Sequence, residues 1–304
     1  MKEHSLFGRR LLTPPASQDI LCIILVRNEI LRLPNCLEHY RSLGVDRFII
    51  LDNDSLDGSA DYLSSGPDID IWRTSDFFSE SKAGMIWRHL LVKHYGFNRW
   101  YVIVDADELL VYPQMDQCDL HVVARRLERL NLMSLRAPMI DMYSDRPLEK
   151  LNYLSGTSLI EACPFFDGDS YRIANFSDGR QKLEGGPRVR IVSRSSKEEF
   201  NHDLEKYPFR FWAQETPLVG IHDNPFPNRR VPPMGALLHF KFLQDLKDKI
   251  QAAIEEKQHW KGSVEYKSYD RAFDNLKSPY YEGSIKYEGP QTLIERRLIT
   301  PFLW

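Results

Sequence analysis

A chain of 304 residues with 42% hydrophobic side chains can bury one large α/β core or two small ones, which excludes a peptide-like module. Lys+Arg 40 against Asp+Glu 43 leaves a formal charge of -3, so no global positive field recommends nucleic acid as a partner. Its cysteines, Cys22, Cys36, Cys118 and Cys163, form no C-x-x-C pair and sit mostly in apolar surroundings, which argues against a disulfide framework or a zinc site and for a reducing, cytoplasmic compartment.

Met1 to Ser17, with Arg9-Arg10 and Pro14-Pro15, reads as a mobile basic arm lacking the continuous apolar segment of a signal peptide. From residue 18 onward strands and helices alternate. "ILCIILV" is a buried strand by its length and β-branched content, far shorter than the roughly 20 residues that cross a bilayer, and it ends at Arg27-Asn28-Glu29. A helix follows to Gly44, with Pro34 near its first turn. Pro34 could equally stand just before a second helical segment. "RFIIL" is the second strand, closed by the turn chemistry of "DNDSLDGS"; "IDIW" is the third. "SESKAGMIWRHLLVKHYG" predicts a helix. The fourth strand, "WYVIV", runs directly into Asp105, Asp107 and Glu108.

Strands apolar on both faces and separated by helices imply a mostly parallel sheet with helices packed on either side. Ligands of such sheets bind beyond the carboxyl ends of the strands, and "RNE", "DNDS" and "DADE" all lie at that edge. Past Pro113 the pattern loosens. "VVARRLERLNL" reads as a helix, "SLRAPMI" and "RVRIV" as strands, residues 143 to 235 as mainly loops, and "FLQDLKDKIQAAIEEKQHW" as an amphipathic helix. This second half is expected to pack on the first sheet rather than to stand alone.

Three adjacent carboxylates repel one another, so water or a cation must neutralise them. A strand ending in Asp-x-Asp offers oxygen ligands of the kind that suit Mg²⁺ or Mn²⁺, with substrate phosphates completing the shell. The structural alternative is that Asp105 caps the following turn and Glu108 opens a helix near its positive end.

"LVRNE", "LDNDSLDGS" and "VDADELL", in this order and spacing, resemble the nucleotide-binding half of GT-A glycosyltransferases, over residues 20 to 112. They are most similar to the family 2-like group related to family 92, which reads R-N-E, D-N-x-S-x-D and D-x-D-E. The resemblance implies a GT-A fold over 18–304, with 18–113 as the nucleotide-sugar-binding half and 114–304 as the acceptor-binding half with C-terminal helices. It implies that Arg27, Asn28 and Glu29 border the nucleotide, that Asp52 or Asp54 accepts hydrogen bonds from base or ribose, and that Lys82 lies near the donor. Asp105 and Asp107 would hold metal and ribose, with Glu108 beside them. The commoner family 2 pattern reads D-D-G-S where this chain has "DNDS", which leaves the base open.

In "ALLHFKFL", alternation puts His239 and Lys241 on one strand face. They resemble the late histidine that completes the metal shell of many GT-A enzymes and a lysine that meets the pyrophosphate; otherwise His239 is a half-buried structural residue. "EGGPRVRIV" is similar to a Gly-Gly-x-Arg-x-Arg segment of the same group. Gly185 and Gly186 would allow close backbone approach to a ligand, while Arg188 and Arg190 share a strand face on the acceptor side or are solvated charge.

The implied activity is metal-dependent, inverting transfer of a sugar from a nucleoside diphosphate sugar to a glycan or lipid-linked glycan acceptor, in cell-surface polysaccharide synthesis. Mn²⁺ or Mg²⁺ would stabilise the leaving diphosphate in place of a general acid. A carboxylate must then take the acceptor proton. Asp169, Asp178 and Glu184 lie in the expected region, and Glu184 is preferred because it adjoins the glycine pair. The alternatives are a sugar-nucleotidyltransferase, which normally opens with a glycine-rich loop absent from "LVRNEILRLP", and a non-catalytic nucleotide-binding protein. A glycosidase needs carboxylates facing each other across a bond, which neighbouring Asp105 and Asp107 do not provide. The Arg9-Arg10 arm and the C-terminal "LIERRLITPFLW" offer peripheral contact with an anionic membrane, unless the tail packs back on the domain.

Overall fold

The computed structural model describes residues 5–175, 181–195, 203–217, 219–224, 234–256, 260–273, 276 and 278–301. Its first half contains β1 (Phe7–Arg10), β2 (Leu21–Val26), α1 (Leu33–Ser42), β3 (Arg47–Asp52), α2 (Ser59–Ser64), β4 (Ile69–Arg73), α3 (Met85–Tyr95) and β5 (Arg99–Val104). Strands β2, β3, β4 and β5 are parallel, in the order β4-β3-β2-β5. Alternate residues of these strands enter two separate cores, which is why they read as unbroken apolar runs. Cys22, Ile24, Phe48, Ile50, Val102 and Val104 pack with Leu33, Leu37 and Tyr40 of α1 on one face. On the other face Leu21, Ile23, Ile49, Leu51, Tyr101 and Ile103 meet Trp87, Leu91 and Val92 of α3. Each fully buried Leu or Ile contributes about 1.5–3 kcal/mol.

Pro34 sits in the first turn of α1, where its missing N–H has no helical partner to lose. The segment expected as a mobile arm supplies edge strand β1, antiparallel to β4, with Arg10 Nη1 donating to the carbonyls of Ser64 (3.1 Å) and Gly66 (2.5 Å). These bonds give the arm a fixed place on the sheet. Met1 to His4 lie outside the described residues.

The second half continues with β6 (Glu108–Val111), α4 (Leu120–Arg129), β7 (Ser134–Leu135), β8 (Met139–Asp141), α5 (Leu159–Ala162), β9 (Phe165–Asp167), β10 (Tyr171–Asn175), β11 (Gln181–Gly185) and α6 (Gly186–Ser195). It ends with β12 (Phe209–Trp212), β13 (Ala236–His239), α7 (Leu246–Glu256), α8 (Trp260–Phe273), β14 (Ser284–Lys286) and α9 (Pro290–Glu295). β12 returns to pair antiparallel with β5, and β7 pairs with β12, so the full sheet runs β1-β4-β3-β2-β5-β12-β7. The expected mixed α/β architecture with a mostly parallel central sheet is present.

"RVRIV" corrects one expectation: it lies within helix α6. Pro187 occupies the first turn, a favoured place for proline, and the buried Arg188, Ile191 and Val192 stand at the i, i+3, i+4 spacing of one helix face. Gly185 and Gly186 have positive φ, of 102° and 84°, and a Cβ would stand 2.1 Å from the Ser170 carbonyl oxygen at the first and 2.8 Å from the Tyr171 ring at the second. Both glycines are therefore required by the turn from β11 into α6.

Two features of topology position a site. The chain moves outward from β2 to β3 and β4, then returns to β5 on the opposite side of β2, so the strand order reverses between β2 and β5. Their carboxyl ends bring Arg27-Asn28-Glu29 and Asp105 to Glu108 to one edge of the sheet. Beside it, β6, β13 and β8 form a small sheet whose register sets His239 opposite Glu108 on one side and Asp141 on the other.

Candidate metal and nucleotide site

Beyond Val104 the chain turns tightly: Glu108 N donates to Asp105 O (3.1 Å) and Asp105 N donates to Glu108 Oε2 (3.2 Å). Glu108 opens strand β6, not a helix, so the expected stabilisation by a helix terminus does not apply. The neutralising cations come from the protein. Lys206, 3% exposed, donates to Asp105 Oδ2 (2.9 Å) and to Glu108 Oε1, while Arg88 of α3 reaches Asp105 Oδ1 at 3.1 Å. Burial raises the Asp105 carboxyl, but Lys206 and Arg88 outweigh it and hold the group below its ordinary range. Burial dominates at Glu108, whose carboxyl is raised against the pull of Lys206.

Asp107 faces the other way. Its Oδ2 lies 3.1 Å from His239 Nε2, and His239 Nδ1 lies 2.6 Å from Asp141 Oδ1. Asp141 is fully buried, and its second oxygen accepts from Arg188 Nε at 2.8 Å. Burial opposes the charge on Asp107, yet His239, with Arg32 and Lys249, holds its carboxyl well below the usual range. Burial would lower the His239 pKa, but the two aspartates raise it. Asp141 thus fixes the imidazole, leaving Nε2 directed at Asp107.

Among the described residues, Asp107, Glu108 and His239 offer donor atoms within 4.8 Å of one another. That spacing fits a divalent ion. One imidazole among carboxylates suits Mn²⁺ better than Mg²⁺, which prefers oxygen throughout. Asp105, expected as a ligand beside Asp107, has both oxygens directed at Arg88 and Lys206.

A cleft of about 220 Å³ opens at the ends of β2 and β3, lined by Arg27, Asn28, Glu29, Asn53, Phe78, Trp87, Lys249, Glu256 and Tyr266 among others. Arg27 spans it, donating to Asn53 O (2.9 Å) and to Glu256 of α7 (2.8 Å). Glu29 pairs with Lys249 and has its Oε2 buried without a hydrogen bond, 3.7 Å from Arg32. Arg32, 1% exposed, clamps Asp245 with 2.6 and 2.7 Å bonds, tying α7 down beside the cleft. Expected residues Arg27, Asn28 and Glu29 therefore share one wall.

Others do not line this cleft. Asp52 accepts from Ser55 N (3.1 Å) within its turn, and Asp54 pairs with Arg73 at 2.9 Å; the residue between them, Asn53, is the one in the wall. Lys82 is exposed, with φ of 53°, in the turn leading to α3. Lys241 is corrected in placement: β13 ends at His239, and the Lys241 ammonium lies 4.8 Å from each of the Tyr266 and Tyr269 ring centroids. Tyr266 also lines the cleft, so Lys241 reaches it only through that ring.

On the other side, Glu184 in β11 pairs with exposed Arg172 at 3.0 Å, and Asp169 accepts from Tyr281 Oη. Asp178 lies outside the described residues. Arg188 is buried against Asp141, and Arg190 grips the fully buried Asp167 with bonds of 2.8 and 2.9 Å; neither is solvated surface charge. Sequence reasoning missed Arg88, Asp141 and Lys206. Asp141 ends the strand-like "APMID", the one local signal of the three; Arg88 and Lys206 are recognisable only through contacts 17 and 101 residues away.

In the C-terminal segment Leu298 and Ile299 are buried, while Phe302 to Trp304 lie outside the described residues. No described helix is long and apolar enough to cross a membrane.

No family model matches this chain, and no curated protein matches it. Solved structures do. One, a 4-diphosphocytidyl-2C-methyl-D-erythritol synthase, is 14% identical with a TM-score of 0.29, over 46% of this chain and 66% of its own. Another, the inositol-1-phosphate CTP transferase from T. maritima, is 11% identical with a TM-score of 0.26, over 94% of this chain and 96% of its own. At these TM-scores neither likeness carries an argument about fold or function.

Proposed function

We propose that this chain is a GT-A-like, metal-dependent glycosyltransferase that moves a sugar from a nucleoside diphosphate sugar to a hydroxyl acceptor, a glycan or lipid-linked glycan. The observation that carries the reading is the meeting of Asp107 and His239, with Glu108 beside them, at the strand-order reversal, near a cleft walled by Arg27, Asn28 and Asn53. Asp107 and His239, with Glu108 beside them, would hold Mn²⁺ or Mg²⁺, which supplies charge stabilisation to a departing diphosphate. Asp141 keeps the imidazole oriented. Arg27 and Lys249 line the cleft wall, paired with Glu256 and Glu29, and a diphosphate would compete with those carboxylates for them, while Trp87 and Phe78 supply apolar lining. Glu184 stays our assignment for the base that takes the acceptor proton.

Nucleotidyl transfer is the second reading, since a carboxylate site at this edge serves a nucleoside triphosphate equally well. Against it, no glycine occurs from Arg27 to Leu43, where a phosphate-cradling loop after the first parallel strand would lie. A screen of nucleotide sugars with Mn²⁺ separates the two: released nucleoside diphosphate supports sugar transfer. Pyrophosphate released from a nucleoside triphosphate and a sugar phosphate would replace it with nucleotidyl transfer.

A further inference from the structure

Resting on the metal reading above, we infer that Lys206 is a positioning residue that stands in for a second cation, withdrawing Asp105 and Glu108 and confining the site to one divalent ion at Asp107 and His239. Its ammonium already occupies a cation position, between Asp105 Oδ2 at 2.9 Å and Glu108 Oε1. The lysine is not free to leave. Ala137 N donates to Lys206 O (2.8 Å), Met139 N donates to Leu204 O (2.8 Å), and the intervening Glu205 is locked to Arg136 at 2.5 Å. At 3% exposure the side chain has no solvent to retreat into.

The charge count agrees. Lys206 and Arg88 match Asp105 and Glu108, which leaves Asp107 as the one carboxylate of the turn whose close partner is a histidine able to ligate a metal. An arriving ion therefore meets one carboxylate that no described lysine or arginine grips, rather than three. Without the Lys206 ammonium, Asp105 Oδ2 and Glu108 Oε1 would flank an empty cation position next to the first ion. Like-charged carboxylates in a buried turn then bind a metal in order to coexist.

The test is Mn²⁺ binding to the metal-stripped full chain without nucleotide, read by electron paramagnetic resonance and calorimetry. Wild type should take one ion. Asp107→Asn should lose at least about tenfold in affinity, and Asp105→Asn far less. Lys206→Met should take a second ion, or bind the first at least about tenfold more tightly, and its melting temperature should rise more with Mn²⁺ than that of wild type. A folded Lys206→Met with wild-type stoichiometry and affinity overturns the inference, as does an Asp105→Asn that weakens binding as much as Asp107→Asn. If Lys206→Met does not fold, the comparison of the two aspartate variants decides alone. Failure of sugar transfer with this binding pattern intact would remove the proposed reaction and leave the role of Lys206 standing.

Discussion

Helix α6 sends two arginines to two fully buried aspartates: Arg188 to Asp141 and Arg190 to Asp167, each through an Nε to Oδ2 bond of 2.8 Å. The pairs are chemically alike and their surroundings differ. Asp167 spends its remaining capacity on Arg190 Nη2 (2.9 Å), Tyr143 Oη (2.7 Å) and Ser170 Oγ (2.5 Å), and Arg190 and Tyr143 pass on to Pro279 O (2.8 Å) and Ser284 Oγ (2.9 Å) rather than to the candidate metal ligands. Asp141 spends its second oxygen on His239, which passes the interaction to Asp107. Burial of charge therefore does not mark a site by itself. What distinguishes the Asp141 pair is a chain of contacts that ends on a donor atom able to face a ligand.

The comparison breaks most sharply at Arg190. Arg190→Met should destabilise the fold by roughly 3–5 kcal/mol in urea titration, by leaving Asp167 buried and unpaired, while Mn²⁺ affinity per folded molecule stays unchanged. A folded variant with weakened metal binding would show that the two networks are joined. Next in size, Asp107→Asn should lower nucleoside diphosphate release at least about 100-fold with unfolding little changed, and EDTA should stop the wild-type reaction until Mn²⁺ is restored. Wild-type turnover in metal-stripped protein would sink that expectation. Asp141→Asn should cost about 10–100-fold in Mn²⁺ affinity through loss of imidazole orientation; an affinity equal to wild type would make Asp141 structural, like Asp167. Smallest is Lys241→Ala. Removing its contact with Tyr266 is worth about 0.5–1 kcal/mol, so nucleoside diphosphate binding should weaken a few-fold, and nucleoside binding less. Equal titration curves for variant and parent would place Lys241 outside the donor site.

The parallel core was legible because strands buried on both faces are apolar throughout, and the shortness and β-branched content of "ILCIILV" and "RFIIL" favour strand over buried helix. Likewise Asp107 announced itself by following such a strand. The placing of His239 beside Asp107 was expected from the resemblance, whereas the strand face it was expected to share with Lys241 does not exist, because the strand ends at His239. The helix at "RVRIV" was hidden by β-branched residues whose intrinsic preference was overridden by packing, although the proline directly after Gly186 was a start signal. Lys206 left no trace in its own neighbourhood. Its meaning is set wholly by Asp105 and Glu108, and only the folded chain brings these together.

The register of β6, β13 and β8 has a kinetic corollary. His239 meets Asp141 across 98 residues of chain, and sliding β13 by one position would present Leu238 or Phe240 where the imidazole belongs. No partial version of this row exists. Loop closure over such separations is slow compared with the local pairing of β2 with β3, so the ion site should be among the last features to appear during refolding. Trp72, Trp87 and Trp100, buried in the first half, supply an early fluorescence signal against which a late one can be timed. In a stopped-flow experiment Mn²⁺ uptake should lag that signal; uptake that keeps pace with it would mean the three strands find their register before the large sheet is complete.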